Sequence, residues 1–351
     1  MIDVQDLAAS VRPTAKGGAL VVAPTHRAGD WNSHGVDCPF VFRKDGMLGM
    51  TVVGWDGRGY QTGLAWHDGT RWSAPRLVFP RDPGSVHRRH NAALTSILRD
   101  TDLYGPGELT AIDDWYYGTY HAYPDAGYEE GSAVIGFVRS RDLVEWEEAG
   151  ELLRPEDGGS WERGGLYKSY LLRHDGRFWL FYNAKDRANG RWIEQTGAAV
   201  SDDLTSWQRV SDAPLLPVGA AGAPDDRFAS DPFVLRAPDG TWLMFYFGLR
   251  AGGPAVDLLA TSPDLVTWTK SPAVLVAPGV AGAIDDWHAH KPAVIRTGDR
   301  LEHYYCAVQR LGTPVDIGGY SQPEMRGIAR AWSPVVGAPM DSAPVGRAAA
   351  G

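Results

Sequence analysis

The amino-acid sequence predicts an all-β fold, one five-bladed β-propeller across residues 1–351 with four antiparallel strands per blade. Three observations carry this. First, the pattern S-x-D-L-x-x-W recurs at Ser140–Trp146, Ser201–Trp207 and Ser262–Trp268, at a constant spacing of 61 residues, with degenerate copies at His67–Trp72 and Arg330–Trp332. Second, an extended apolar run, an Asp-Gly-like turn and an aromatic-rich run repeat in step with it, as in Tyr170–Tyr182 and Pro232–Tyr246. Third, each closure has an extended segment on either side, such as Thr196–Ser201 before and Pro214–Val218 after. Four short strands per unit, repeated at a fixed period, are the signature of a propeller rather than of two sandwiches.

Taken in order, the units fall at about 36–80, 100–155, 165–218, 229–278 and 288–334. The Asp-Gly turns favour two-residue hairpins between first and second strands. The aromatic and branched residues suit strands covered on both faces. The fifth unit has no fourth strand after Trp332, only a small-residue tail over 335–351. Ala19–Pro24 nearly copies the fourth strand at Ala273–Pro278 and is expected to close the ring, leaving no open edge. The segment between units one and two, 81–103, reads as the longest insertion.

Composition narrows the function. The net charge of −9 argues against nucleic acid and anionic membrane as partners. No run of about 18 apolar residues appears, so no membrane span is expected. The first residues show neither a basic nor an apolar leader region, which suggests a cytoplasmic protein. Two cysteines, Cys38 and Cys306, make no disulfide framework and read as free buried thiols. Oligomeric state is left open.

In a propeller, the starts of the innermost strands and the loops joining second to third strands share one face. Counting back from each turn places Asp37, Tyr167, Asp231 and His290 at those starts. A register slip of one would substitute Cys38, Lys168 and Lys291. The loops add Tyr60, His121, Asn183, Lys185, Trp192, Glu194 and Arg326. Several carboxylates converging on an aromatic-walled channel is the equipment of glycoside hydrolysis, which needs a proton donor and a second carboxylate. A partly dry hub drives their proton affinities apart. A carboxylate at a strand start also serves as a simple backbone cap.

Blade starts such as Asp37-Cys-Pro-Phe-Val41 and Asp231-Pro-Phe-Val-Leu235, the Asp-Gly hairpins and the repeated closures resemble the five-bladed propeller glycoside hydrolases of families 43, 32, 117 and 130, over residues 19–334. Asp37, Glu194 and Asp231 are the candidate catalytic residues. Family 43 has an Asp base in blade one, a pKa-tuning Asp in blade three and a Glu acid in blade four. Asp37 stands where that base falls, blade three offers Tyr167 and Lys168, and blade four offers Asp231. Arg227-Phe-Ala-Ser-Asp231-Pro232 is similar to the Arg-Asp-Pro motif of family 32, which would make Asp231 a sugar binder. Glu194 is the preferred acid, with Glu108 and Glu162 in reserve. No cofactor is required, no metal ligand set is assigned, and the resemblance to family 43 admits a structural calcium or sodium ion in the channel.

A second constellation is basic: His87–Asn91, Lys168, Lys185 and His288–Lys291. It suits either an anionic substrate group or the hydroxyls of a neutral sugar. His90, Asn91, Glu108, His121, Lys168, Asn183, Trp192, His290 and Lys291 are the expected sugar contacts. The leading expectation is an exo-acting glycosidase for short oligosaccharides, inverting at the anomeric carbon. An inverting phosphorylase and a non-catalytic lectin are the alternatives. A lectin would present one similar shallow site per blade, whereas here the blade starts differ chemically.

Overall fold

A computed structural model describes residues 4–187, 190 and 192–334; the tail expected over 335–351 lies outside them. A short helix, α1 (Val4–Val11), buries Leu7, Ala8 and Val11 and was not foreseen. It leads into β1 (Ala15–Lys16). The first meander is β2 (Gly35–Lys44), β3 (Met47–Trp55), β4 (Tyr60–Trp66) and β5 (Arg76–Phe79), hydrogen-bonded in that order. The second comprises β6 (Ala93–Ile97), a minor β7 (Ala111–Ile112), β8 (Trp115–Ala122), β9 (Val134–Ser140) and β10 (Glu147–Glu148).

The third meander is β11 (Leu166–His174), β12 (Arg177–Asp186), β13 (Ile193–Ser201) and β14 (Gln208–Arg209). The fourth is β15 (Phe228–Arg236), β16 (Trp242–Leu249), β17 (Ala255–Ser262) and β18 (Thr269–Lys270). One parallel bridge, Glu194 to Phe228, joins these two. The last sheet has the order β1-β21-β20-β19, from β19 (His288–Thr297), β20 (Arg300–Ile317) and β21 (Tyr320–Pro334). No helix among the described residues is long and apolar enough to cross a membrane.

Two placements differ from expectation. Unit two begins at Ala93, inside the presumed insertion, because Ala93–Ile97 is a wholly buried run that supplies the inner strand. Glu108–Asp113 supplies only isolated bridges, from Glu108 to Arg43 and from Leu109 to Arg99, and the small hairpin of β7 with β8. In units two to four the outer strands also come earlier, directly after the Trp, whereas β5 of unit one starts at Arg76. Ser211 and Pro214, and Ser271 and Pro272, interrupt the chain, so Leu216 and Val276 make only isolated bridges. The N-terminal segment follows the same plan: Ala15 and Lys16 pair with Trp332 and Ala331, and within 19–24 only Val22 bridges to Ile328.

The local chemistry of the repeats is explicit. Asp45-Gly46 and Asp175-Gly176 both hold positive φ, as a tight hairpin turn requires. In each S-x-D-L-x-x-W, the Asp carboxylate accepts two backbone N–H groups, as Asp142 does from Val144 and Glu145, each at 2.9 Å. The Leu then sits at φ 66, 64 and 67 in the three copies.

Each strand that opens a unit is bulged. Pairing registers shift between Asp37 and Phe40, Leu94 and Ser96, Tyr167 and Ser169, Ser230 and Phe233, and His290 and Ala293. Cys38, Lys168, Asp231 and Lys291 adopt positive φ at these points. A bulge bends its strand and re-aims side chains. Just beyond, Phe40, Tyr170 and Phe233 are fully buried, with ring centroids 4.7–6.1 Å apart, and form an apolar plug.

Candidate active site

The bulges aim their side chains into one cleft. Asp37 with Cys38, Tyr167 with Lys168, and His290 with Lys291 line it as consecutive pairs, joined by Asp231. In a regular strand one member of each pair would face away; the extra residue brings both inward. The cleft is open to solvent and has a cavity volume of about 170 Å³.

Asp37 is buried and ionised. Burial alone would raise its pKa, but Lys291 and Arg326, with the nearby His290, hold the carboxyl well below the usual range. Lys291 Nζ lies 2.7 Å and Arg326 Nη1 3.1 Å from Oδ2, while the Cys38 N–H donates to Oδ1 at 2.8 Å. The same burial raises the Cys38 thiol to about 12, so it is not a thiolate nucleophile.

Glu194 is the opposite case. Its buried carboxyl is raised to about 7, by desolvation first and by the negative charges of Glu129 and Asp231, against the lowering pull of Lys185. Trp192 Nε1 donates to Oε1 at 2.8 Å and Ser230 Oγ to Oε2 at 3.1 Å, which fixes its orientation. Lys185 is fully buried, ion-paired to Glu129, and lies 4.5 Å from the Trp192 ring centroid. Glu129 and Tyr128 enter the cleft from the loop between β8 and β9. Neither was foreseen, since nothing in Asp125–Ser132 separates Glu129 from Glu130.

Asp231 is raised by burial, partly offset by Lys291 and Lys168. Asn183 holds it through both amide atoms, donating to Oδ1 and accepting the Asp231 N–H at 2.7 Å; Oδ2 has no partner. The Lys168 N–H donates to His121 Nδ1 at 3.2 Å, so that ring carries its proton on Nε2. Burial, and then neighbouring lysines, keep His121 and His290 well below the ordinary histidine range and therefore neutral.

Of the expected site residues, Asp37, Glu194, Asp231, His121, Lys168, Trp192, His290 and Lys291 line the cleft. Asn183 acts from behind through Asp231. Asn91 is spent on the backbone, accepting the Tyr60 N–H at 2.8 Å and donating to the Tyr123 carbonyl at 3.4 Å. His90 does not line the cleft. Glu108 bridges to Arg43 near the far end of β2, a consequence of where unit two begins. The other reserve, Glu162, is a buried clasp: Tyr182 Oη donates to it at 2.6 Å and Arg209 Nε at 2.7 Å.

That clasp is repeated. Asp225 is bound by Tyr246 and Lys270, and Asp285 by Tyr305 and Lys16. Trp161 stacks on Tyr182 and is wall, while Trp192 faces the cleft. Cys38 and Cys306 are free and buried. Among the described residues no group of three or more His, Cys, Asp and Glu side chains is arranged to hold a metal ion. In the cleft, Asp37 is met by an ammonium and a guanidinium, Glu194 by an indole and a hydroxyl, and Asp231 Oδ1 by an amide.

The fold is that of the propeller glycoside hydrolase superfamily, which the sequence motifs resemble. The family model for the glycosyl hydrolases family 32 N-terminal domain matches residues 103–282, just over half of the chain, and the chain belongs to that family. A curated relative, the 1,2-beta-oligomannan phosphorylase of Thermoanaerobacter sp. (strain X514), is 30% identical over 133 residues. That match covers 36% of this chain and 44% of the relative, less than half of its length. A solved structure described as a glycoside hydrolase matches with TM-score 0.78 and 28% identity over 97% of this chain and 96% of its own. Another, described through the GH130 family of mannoside phosphorylases and its glycoside hydrolases targeting beta-1,2 mannosidic linkages in Candida mannan, shares the fold at TM-score 0.63 and 15% identity, covering 93% and 96% of the two chains.

Proposed function

We propose that the protein is an inverting, exo-acting glycosidase for short oligosaccharides, with Glu194 as general acid and Asp37 as general base. The observation that carries this is the opposed protonation of two carboxyls in one cleft: Glu194 keeps its proton up to about pH 7, while Asp37 is held ionised. Glu194 gives its proton to the glycosidic oxygen as that bond breaks. Asp37 takes a proton from the water that attacks the anomeric carbon. Asp231, His121 and His290 offer hydrogen bonds to hydroxyls, and the Trp192 face offers a stacking surface. Inversion is read from the likeness of unit one to family 43.

The frame we propose for this site is a ring of five blades closed by the N-terminal segment. Lys16 supports it, because it binds Asp285 and Tyr305 just as Lys270, in an outer strand, binds Asp225 and Tyr246. Proton NMR of the first product anomer, on a glycoside found by screening, tests the chemistry. Inversion of configuration is expected; retention would recast Asp37 as a nucleophile. The name of the Thermoanaerobacter relative favours a second reading, inverting phosphorolysis, in which phosphate replaces the attacking water. Turnover that requires phosphate would select it.

A further inference from the structure

Among the described residues, buried cations are answered by partners, with one exception. Lys185 is paired with Glu129, Lys291 with Asp37, and Arg326 with Asp37 and Glu324. Arg209 is answered by Glu162, and buried Arg99 donates to the carbonyls of Val41 and Asp100. Lys168, only 3% exposed, lines the cleft, yet its ammonium makes no hydrogen bond or ion pair with any described residue. Burying a charge without an answer is costly, and a neutral hydroxyl does not compensate it.

We propose that Lys168 is the counter-ion for an oxyanion, either the carboxylate of an acidic sugar or free phosphate, bound at the floor of the cleft. This rests on reading the cleft as a sugar site and names the charge of what it takes. The surroundings agree. The bulge holds Lys168 at φ 38, next to His121, whose protonated Nε2 is a second donor. Lys291, on the bulge of β19, also acts on His121 and extends the positive field. Asp231 is an acidic neighbour that interacts with Lys168 through space; burial raises its pKa, and its Oδ2 has no partner.

Isothermal titration tests this without requiring turnover. The probes are inorganic phosphate, D-glucuronate and D-galacturonate, with D-glucose and D-galactose as neutral controls, at fixed ionic strength. At least one anion is expected to bind tenfold or more tightly than the neutral sugars. Lys168→Gln should abolish that preference, and Lys168→Arg, which keeps the charge and guards against misfolding, should retain most of it. A preference for uronate places the anion on the substrate; a preference for phosphate makes it a co-substrate. Equal binding of charged and neutral probes, or a preference that survives in Lys168→Gln, overturns the proposal. If a neutral glycoside is then still cleaved in an Asp37- and Glu194-dependent way, the glycosidase reading stands without it.

Discussion

Two carboxyls of ordinary chemistry are driven apart by what surrounds them. Asp37 meets two cations, whereas Glu194 meets apolar rings, two neutral donors and like charges. The sign of the pH dependence follows. Glu194 must be protonated, so kcat/KM falls as pH rises through about 7. Asp37 must be ionised, so the acid limb lies below the usual carboxylate range. Glu129→Gln removes a charge that raises Glu194 and frees Lys185, which lowers it, so the basic limb should move to lower pH. A limb that stays in place would detach Glu129 from the acid. Glu194→Gln should lose about 10²–10⁴-fold on substrates with a poor leaving group, and far less on activated aryl glycosides that leave without a proton. Equal losses on both would remove Glu194 from that role. Asp37 and Glu194 were legible from their places in the repeat. Glu129 was not, because it is one acid in an acidic, glycine-punctuated loop with no period to place it.

At the scale of the element, one device recurs: a bulge near the start of each inner strand. Counting back from the Asp-Gly turns located these starts, but period-two alternation cannot announce an inserted residue. That is why Tyr167 or Lys168, and His290 or Lys291, looked like alternatives when both face the cleft. Glu108 was misplaced for a related reason, since the buried run Ala93–Ile97 is followed by Leu98-Arg99-Asp100-Thr101 and not by an Asp-Gly turn. The N-terminal segment carries a testable consequence. Lys16→Ala should cost no more than about 1 kcal/mol in denaturant melts, as the pair it breaks is one-third exposed on the lysine side. Deleting residues 1–25 removes β1, the Val22 bridge and the clasp together, and bares the edge of β21. The truncated chain should lose cooperative unfolding or aggregate. If it melts like the full chain, the segment is only a tail.

Across the whole molecule, the repeat builds a near-symmetric frame and then breaks the symmetry at its centre. Asp, Lys, Asp and Lys stand at four of the bulges or beside them, and one cleft results that Asp37 and Glu194 both line. The frame was readable from the spacing of S-x-D-L-x-x-W. The chemistry of the cleft was readable only in part, because proton affinities depend on burial and on partners brought from distant units, such as Arg326 on Asp37. A cleft of this size, plugged beneath by Phe40, Tyr170 and Phe233, suits the end of a chain and not its middle. Digestion of an accepted oligosaccharide should therefore release monosaccharide from the outset, and early release of longer fragments would contradict an exo mode.

The central claim is that Asp37 handles the proton of the attacking water, and the kinetics of Asp37→Asn on the identified substrate test it most directly. The amide keeps the shape and much of the hydrogen bonding but accepts no proton, so kcat should fall by about 10²–10⁴-fold while KM stays within a few-fold of the native value. Near-native turnover in a correctly folded Asp37→Asn protein would contradict the account, and would return the cleft to sugar binding alone or to a different pair of catalytic groups.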